Sequence, residues 1–414
     1  FLLGEFEDNE EIHMEIPEGF EKYHKKWYDL LGDIVILLLK TIYGTKQAAM
    51  AFWRKLQRAF TEMEFNRSDT DPCLRYKWST VGLVIWLTWV DDLLCFGEKE
   101  LVRQAAKQMN EAFECDDIGE MTEYVGCKVD RNGNESFKLT QPVMCQSFED
   151  EFNIEEAMKR VPKTPSEPGK VLIPGTIEDA DQVDPDQHKY YRKGVGKFMH
   201  MMRWSRPEVS NSIRELSRSL AFPLSRHLKS MHRAMAYVVS TKEKGWILKP
   251  NRRIKGDLRD HEFIIEGQAD SDYAKCPVTR RSVSGQTVLL EGACVHAKSI
   301  MQKTQALSVT ESELNSGVGT AQDMIYCMRV IESVKLKVKK PMILKIDNKG
   351  AVDSANNWSC GGRMRHVKLN FLRELKEEGV LDIQWMSGKE NLADLFTKNL
   401  GGSDFEKHAS KLIG

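Results

Sequence analysis

Apolar positions recur at helical spacing from 48 to 63, where Phe52, Leu56, Ala59, Phe60 and Met63 share one face. The stretch 81–90 is then almost continuously apolar, Asp91-Asp92 interrupts it, and 93–96 resumes it, which predicts two strands joined at the acid pair. From 101 to 113 the amphipathic helical period returns. Helix, hairpin, helix is the order of an α+β layer. Five of the thirteen prolines then fall between Pro162 and Pro185, among Glu178, Asp179, Asp181, Asp184 and Asp186. This predicts an extended acidic linker over 155–187 between two folded halves. Past it, Ser210 is placed to N-cap a helix with Ile213, Leu216 and Leu220 inward and Arg214 and Arg218 outward, and a second helix runs over 225–239. From about residue 260 the pattern predicts strands at 263–265, 286–290 and 293–297, a long helix over 310–334, a strand at 342–346, helices to about 379, a strand at 382–386 and a last helix from 391. That order makes a mixed sheet with helices packed on it.

Composition adds bounds. The chain has 414 residues, 60 Lys plus Arg against 61 Asp plus Glu, and 41% hydrophobic residues, which excludes a low-complexity or supercharged polypeptide. At about 100–200 residues per domain the length fits two to four domains. The net charge of −1 hides a strong polarity. Residues 1–154 hold 29 acids and 17 bases, 155–187 hold 8 and 4, 188–250 hold 3 and 14, and 251–414 hold 21 and 25. Nine scattered cysteines with no C-x-x-C pair argue against a zinc ribbon or disulfide framework. No apolar stretch approaches the roughly 18 residues of a membrane span, and no cleavable signal is visible. A cytoplasmic or nuclear location is the expectation. The first residue is Phe1, not Met, so a missing start or a cut from a longer chain is expected.

Candidate chemistry lies in acids at element ends. Asp270 and Asp347 each follow an apolar strand, Glu311 lies on the long helix and Asp394 on the final one. Mg²⁺ takes hard oxygen ligands, so carboxylates from several elements converging on one sheet edge can hold two ions that clamp an in-line phosphoryl displacement. Taken singly, each is also readable as a surface acid. Asp91 and Asp92 are adjacent carboxylates that repel unless a cation or solvent screens them, and an acidic hairpin turn is the alternative. The basic segment 188–250 carries Arg203, Arg206, Arg214, Arg218, Arg226, Lys229 and Arg233 at near-helical spacing, interleaved with Tyr190, Tyr191, Trp204 and Tyr237. That pattern suits neutralisation of a phosphate backbone and stacking on bases. Solvated helix faces are the alternative.

Taken in order, the motifs resemble the reverse transcriptase and ribonuclease H portion of a copia-type LTR retrotransposon polyprotein, across essentially the whole chain. Phe1-Leu2-Leu3-Gly4 with Glu11 to Met14 and Pro17 to Phe20 is similar to the segment after that family's first catalytic aspartate. Tyr43-Gly44-Thr45-Lys46-Gln47 with Ala51-Phe52-Trp53 resembles its next block, and Val90-Asp91-Asp92 its catalytic hairpin. Leu139-Thr140-Gln141 resembles the start of the thumb, and Tyr191 to Gly196 with Arg206-Pro207 the connection. Ala269-Asp270-Ser271-Asp272-Tyr273-Ala274, Thr279 to Gly285 with Arg280 and Arg281, Ala306 to Glu313, Asp347-Asn348-Lys349 and Leu392 to Lys398 resemble five successive later blocks.

The resemblance implies a partial α+β polymerase palm over 1–138, a thumb start at 139–154, the linker at 155–187 and a basic connection at 188–260. It further implies an α/β ribonuclease H-like domain with a mixed five-stranded sheet over 261–400 and a tail at 401–414. Asp270, Glu311, Asp347 and Asp394 would be the metal-binding, catalytic acids of a ribonuclease H acting on RNA/DNA hybrids. Asp91 and Asp92 would hold the metals of a polymerase, with Lys46 and Gln47 near the incoming nucleotide or template. Asp272 and Glu313 would be non-catalytic neighbours. Arg280 and Arg281 would join the basic segment on nucleic acid. Two Mg²⁺ or Mn²⁺ ions per active site follow as cofactors, and RNA/DNA hybrid, template RNA and primer as partners, with dNTPs only where the polymerase is complete. Virus-like particles in the cytoplasm, or the nucleus, would be the location. The family's third polymerase carboxylate would lie just before Phe1, so this chain alone is expected not to synthesise DNA. Trp89 for Tyr, Thr45 for Leu, and His296 for Trp depart from the pattern. A non-catalytic nucleic-acid-binding remnant of a decayed element is therefore the competing expectation.

Overall fold

The computed structural model describes residues 6, 10–19, 22, 35–42, 44–113, 115–133, 136–357 and 367–414. Tyr43 of the Lys46-Gln47 motif and all of Phe1-Leu2-Leu3-Gly4 lie outside the described residues. The chain divides into two compact units, Phe1–Gly119 and Glu120–Gly414. The division falls at 119, not at the expected palm boundary of 138.

In the first unit β1 (His13–Glu15) pairs antiparallel with β2 (Val35–Leu37). Helix α1 (Ala48–Glu62) follows, then a four-stranded antiparallel meander of β3 (Asn66–Arg67), β4 (Leu74–Trp78), β5 (Leu83–Trp89) and β6 (Asp92–Gly97), and helix α2 (Lys99–Ala112). The apolar stripe anticipated on α1 is the one that is buried. Leu56, Ala59 and Phe60 pack with Val84 and Trp86 of β5 and with Ala105 and Met109 of α2. Both helices therefore cover one face of the meander.

The second unit opens with β7 (Glu123–Tyr124), β8 (Cys127–Asn132) and β9 (Ser136–Thr140). Helices α3 (Pro142–Glu151), α4 (Glu155–Met158), α5 (Pro185–Trp204), α6 (Ser210–Ser217) and α7 (Ser225–Ser240) follow, and β10 (Trp246–Leu248) joins the edge of β9. Next come β11 (Glu262–Phe263), β12 (Ile265–Asp272), β13 (Val283–Leu290), β14 (Ala293–Met301) and the 25-residue helix α8 (Val309–Ser333). Then β15 (Lys337–Val338), β16 (Met342–Ile346), α9 (Lys349–Asn356), α10 (Val367–Glu377), β17 (Leu381–Trp385), a 3₁₀ turn at Leu392–Phe396 and α11 (Gly402–Ala409) complete the chain. The main sheet has the order β14-β13-β12-β16-β17. Its first three strands are antiparallel, and β12, β16 and β17 are parallel. This is the mixed five-stranded sheet that the strand and helix order predicted. Helices α8, α9 and α10 cover one face through Leu314, Ala321, Met324, Ala351 and Leu372 against Ile265, Leu344, Ile346 and Ile383.

Three segments differ from their sequence expectation. The acidic stretch 155–187 is not a free linker but a strap packed on the second unit. Proline withholds donors, so the strap forms no strand of its own beyond one isolated bridge between Gln182 and Leu224, and other groups are met by the helices and by Asn399. Ser166 Oγ donates to Ser212 Oγ at 2.6 Å, Leu172 N donates to Glu215 Oε2 at 3.1 Å, and Gly169 N donates to Asn399 O at 2.8 Å. Helix α6 has no outward face over Ser210–Leu216, all buried, and Ser210 donates to Pro207 O rather than capping. The expected tail, 401–414, is core: Phe405, Leu412 and Ile413 are buried with Tyr237, Val238 and Trp246.

Candidate metal centre

The carboxylates meet because of sheet register. In the parallel pair β12/β16, Ala269 lies opposite Ile346. The next residues, Asp270 within β12 and Asp347 just past the end of β16, therefore lie side by side where the pairing of the two strands stops. Asp394 reaches them from the 3₁₀ turn, which Asn391 pins: its Nδ2 donates to Ala269 O at 2.9 Å, and its Oδ1 accepts from Ala393 N at 3.1 Å. Leu392 N donates to Gln268 Oε1 at 2.9 Å. Gly285, paired with Asp270 on β13, lets this turn approach; a Cβ there would meet Ala393 O at 2.4 Å. One oxygen from each of Asp270, Asp347 and Asp394 lies within 4.8 Å of the others.

A fourth acid arrives on α8, and it is Glu313 rather than Glu311. Two residues apart on a helix are about 200° apart, so only one of the pair can face the sheet. Glu313 is 3% exposed, and its Oε1 accepts from Ser271 N at 3.3 Å, beside Asp270 on β12. Its Oε2 is buried and without a partner. Glu311 instead closes the start of α8: its carboxylate accepts from Leu307 N at 2.7 Å while its own N–H donates to Ser308 Oγ. Ser308 is thus the N-cap, and the Glu311 carboxylate reaches back past it to the preceding N–H, a variant of the capping box. Ser308 three residues before Glu311 is a capping signature, but Thr310 stands three before Glu313 as well, so the sequence alone does not separate the two.

Electrostatics mark the cluster as expensive. Burial, then Asp270 and Asp347, push the Glu313 carboxyl up to about 9. Burial raises Asp270 to about 6, with Lys398 opposing and Asp394 adding to the rise, and burial raises Asp347 and Asp394 as well. Lys398 moderates the repulsion, with Nζ 2.6 Å from Asp394 Oδ1 and 3.3 Å from Asp270 Oδ1. Burial alone lowers the Lys398 ammonium, but Asp270 and Asp394 outweigh it and hold it well above its usual value. Thr397 Oγ1 donates to Asp270 Oδ2. An all-oxygen donor set with one orphaned carboxylate oxygen and a cation already seated between two others fits a hard divalent ion such as Mg²⁺. Beside the cluster, Trp385 Nε1 donates to Asp347 O at 2.9 Å, and Lys349 Nζ sits 4.8 Å from the indole ring centre.

The hairpin acids are placed differently. Trp89 pairs with Asp92, so the two-residue turn is Val90-Asp91, and both acids are exposed. Val90 has φ +58, a left-handed conformation that a β-branched residue adopts only under strain. Lys46 is exposed and Gln47, half-buried, precedes α1, its carbonyl accepting from Ala51 N at 2.9 Å.

The basic residues divide into two groups. Arg206 is 1% exposed and braces α7, donating to Glu208 Oε1 at 2.7 Å, Thr241 O at 3.1 Å and Thr241 Oγ1 at 2.7 Å. Arg214 is buried and donates to Asn211 Oδ1 at 2.8 Å and Ser299 Oγ at 3.0 Å. Neither guanidinium is open to a phosphate, so both are corrections to the expected basic track. Their helical spacing matches the basic track, but neighbouring Glu208 and Asn211 supply the internal partners that make their burial tolerable. Arg218 is half-buried, donating to Cys276 Sγ at 2.8 Å, and Arg233 is half-buried. Arg203, Arg226, Lys229, Arg280 and Arg281 are exposed.

Residues 1–165 match the family model described as reverse transcriptase (RNA-dependent DNA polymerase). The whole chain is 28% identical to the retrovirus-related Pol polyprotein from transposon TNT 1-94 of Nicotiana tabacum, covering 30% of that protein. It is 26% identical over its full length to the corresponding polyprotein from transposon RE1 of Arabidopsis thaliana, covering 26% of it. Among solved structures, the foamy viral protease-reverse transcriptase in complex with double-stranded DNA matches 84% of this chain and 51% of its own, with TM-score 0.44 and 9% identity. Over its full length the chain is similar to these plant retrotransposon Pol polyproteins, and over residues 1–165 to the reverse transcriptase family. It spans less than a third of the length of these two curated relatives.

Proposed function

We propose that the second unit is a ribonuclease H-type nuclease that hydrolyses the RNA strand of an RNA/DNA hybrid, with Asp270, Glu313, Asp347 and Asp394 as its metal ligands. The observation that carries this reading is the convergence of Asp270, Asp347 and Asp394 from two neighbouring parallel strands and a pinned 3₁₀ turn, with Glu313 of the long helix buried beside them on Ser271 N. Bound divalent cations would supply a lowered water pKa and charge neutralisation at the phosphate. The chain's own residues do the rest. Asn391 and Gln268 hold the Asp394 turn against β12, so its carboxylate is positioned before any ligand arrives. Lys398 keeps two of the acids ionised and together until a stronger cation takes its place. Ser271 N orients Glu313 and leaves its second oxygen available.

For the first unit, the reading is the catalytic hairpin of a reverse transcriptase, with Asp91 and Asp92 as metal-binding acids and Lys46 and Gln47 near nucleotide or template. Its support is the family match over 1–165 together with the strained, solvent-facing turn that presents both acids. RNA-directed DNA synthesis is proposed for the parent polyprotein.

Incubation with Mg²⁺ and an end-labelled RNA/DNA hybrid tests the nuclease reading. Cleavage of the RNA strand is expected, and Asp347→Asn should reduce it at least about 100-fold, the scale of removing a group essential to transition-state charge. Cleavage that survives this substitution sinks the assignment. Salt-sensitive hybrid binding without any cleavage would favour a nucleic-acid-binding remnant instead.

A further inference from the structure

Outside the carboxylate cluster the second unit holds a cavity of ≈ 620 Å³, walled by α7, α6, the short α4 and the strap at 160–172. Its charges are unevenly satisfied. The three acids that line it are all engaged within the protein. Glu156 accepts from Lys159 Nζ at 2.5 Å, Glu167 pairs with Lys170, and Glu215 accepts from Leu172 N at 3.1 Å and Asn399 Nδ2 at 3.1 Å. Of the cations that line it, Lys170 is taken by Glu167, and the other four are less fully engaged. Arg160 and Lys229 have no ion pair or hydrogen bond among the described residues. Arg226 has one carboxylate, Asp181, at 4.0 Å. Arg233 donates one Nη2 bond to Thr164 Oγ1 at 3.2 Å, while its Nε is buried with no acceptor.

Helical spacing explains the convergence. Positions 226, 229 and 233 fall on one face of α7, and the strap brings Arg160 across from it. Five cations, Arg160, Lys170, Arg226, Lys229 and Arg233, line the concavity against three carboxylates already engaged within the protein; the excess positive charge costs free energy through mutual repulsion, and an anion in the cavity reverses the sign of that interaction. The volume is that of a nucleotide-sized site. A solvated basic helix face would spread such residues over a convex surface. Here they line a hollow, and one guanidinium nitrogen within it lacks an acceptor.

We infer that this cavity is a second binding site, separate from the carboxylate cluster, for a phosphate ester carrying at least two negative charges. Two sources share that chemistry: a free nucleoside polyphosphate and the 5′-phosphorylated end of a nucleic-acid strand. The site abuts the metal centre in sequence, since Asn399, which ties the strap to Glu215, follows Lys398 directly.

Calorimetric titration of the full chain in EDTA at about 50 mM salt, where screening is modest, separates the sources. The probes are ATP, inorganic pyrophosphate, and hexathymidylate with a 5′-phosphate or a 5′-hydroxyl. Stronger binding of ATP than of the phosphorylated oligonucleotide assigns the nucleotide, and the reverse order assigns the strand end. Arg160→Ala with Lys229→Ala should weaken the preferred probe by about ten-fold or more. Ser230→Trp, which fills the cavity and removes no charge, should do the same; its use covers any loss of folding in the double variant, read by the unfolding midpoint. The site does not exist if no phosphate probe binds. It is equally refuted if the two oligonucleotides bind alike while ATP does not, or if both variants bind as the parent does.

Discussion

Glu311 and Glu313 stand two positions apart in one short motif, and family resemblance alone selects the first. Physics separates them, because the helix turns by about 200° between the two and only one can face β12. Glu313 is the buried one and Glu311 the capping one. The consequences of neutralising each are opposite. Glu313→Gln should abolish RNA cleavage, and it should raise the unfolding temperature of the metal-free protein, because it removes a carboxylate held against its own ionisation by burial and by Asp270 and Asp347. Glu311→Gln should leave cleavage within a few-fold of the parent and lower stability by about 0.5–1 kcal/mol through the weakened cap. Parallel cleavage assays and thermal melts on the two variants decide it; equal loss of cleavage in both, or a destabilised Glu313→Gln, overturns this placement. Asp270 and Asp347 were legible in the sequence because an acid directly after an apolar run is conspicuous, whereas Asp394 stood out only through the resemblance of its block, Leu392 to Lys398. The identity of the fourth depended on which side of α8 meets the sheet, which spacing alone leaves open.

At the level of elements, strands and amphipathic helices were readable, whereas buried polar ties were not. The β13–β14 hairpin shows why. Its two-residue turn, Glu291-Gly292, has both φ values positive, at 51 and 85. Such a turn ordinarily selects Asn, Asp or Gly at its first position, so a Glu there has no local rationale. Its carboxylate instead anchors the approach to β12. Arg252 donates to both oxygens at 2.7 and 2.8 Å, Ile264 N donates at 2.9 Å, and His261 lies 3.3 Å away. Burial alone raises the Glu291 carboxyl, but Arg252, Ile264 N and His261 outweigh it and hold it below the usual value. A carboxylate whose folded-state pKa is depressed stabilises above its unfolded value, about 4.3, and that stabilisation is lost as pH falls through the folded value. Glu291→Gln should therefore cost about 2 kcal/mol near neutral pH, with the gap to the parent closing as pH falls below about 4. Urea unfolding at pH 7 and pH 3.5 measures it, and a gap that does not narrow removes the anchoring role. The same invisibility applies to the distant partners of Arg206 and Arg214, Thr241 and Ser299, which only the fold brings close, whereas Glu208 and Asn211 are near in sequence.

For the whole molecule, the acidic strap was read as a boundary because proline and acid usually mark a linker. Its hydrogen bonds to Ser212, Glu215 and Asn399 make it part of one body, and the boundary lies at 119 instead. The C-terminal residues belong to that body too. Trp246 forms an antiparallel bridge with Ile413, Gly245 and Gly414 exchange backbone hydrogen bonds at 3.2 Å, and Phe405 packs edge-on against Tyr237 with ring centres 5.6 Å apart. A polypeptide of residues 120–414 should therefore fold cooperatively and retain Mg²⁺-dependent hybrid cleavage, whereas one of 188–400, cut at the boundaries that composition suggests, should not fold. The shorter piece loses the strap, β9, α3 and the buried Phe148, Phe405, Leu412 and Ile413. Burying each large apolar side chain contributes about 1.5–3 kcal/mol, so these four alone approach the roughly 5–15 kcal/mol by which a domain is stable. Circular dichroism melts of the two pieces are the measurement. A sharp transition in 188–400 would restore the strap as a linker, and a non-cooperative 120–414 would mean that its fold requires the first unit.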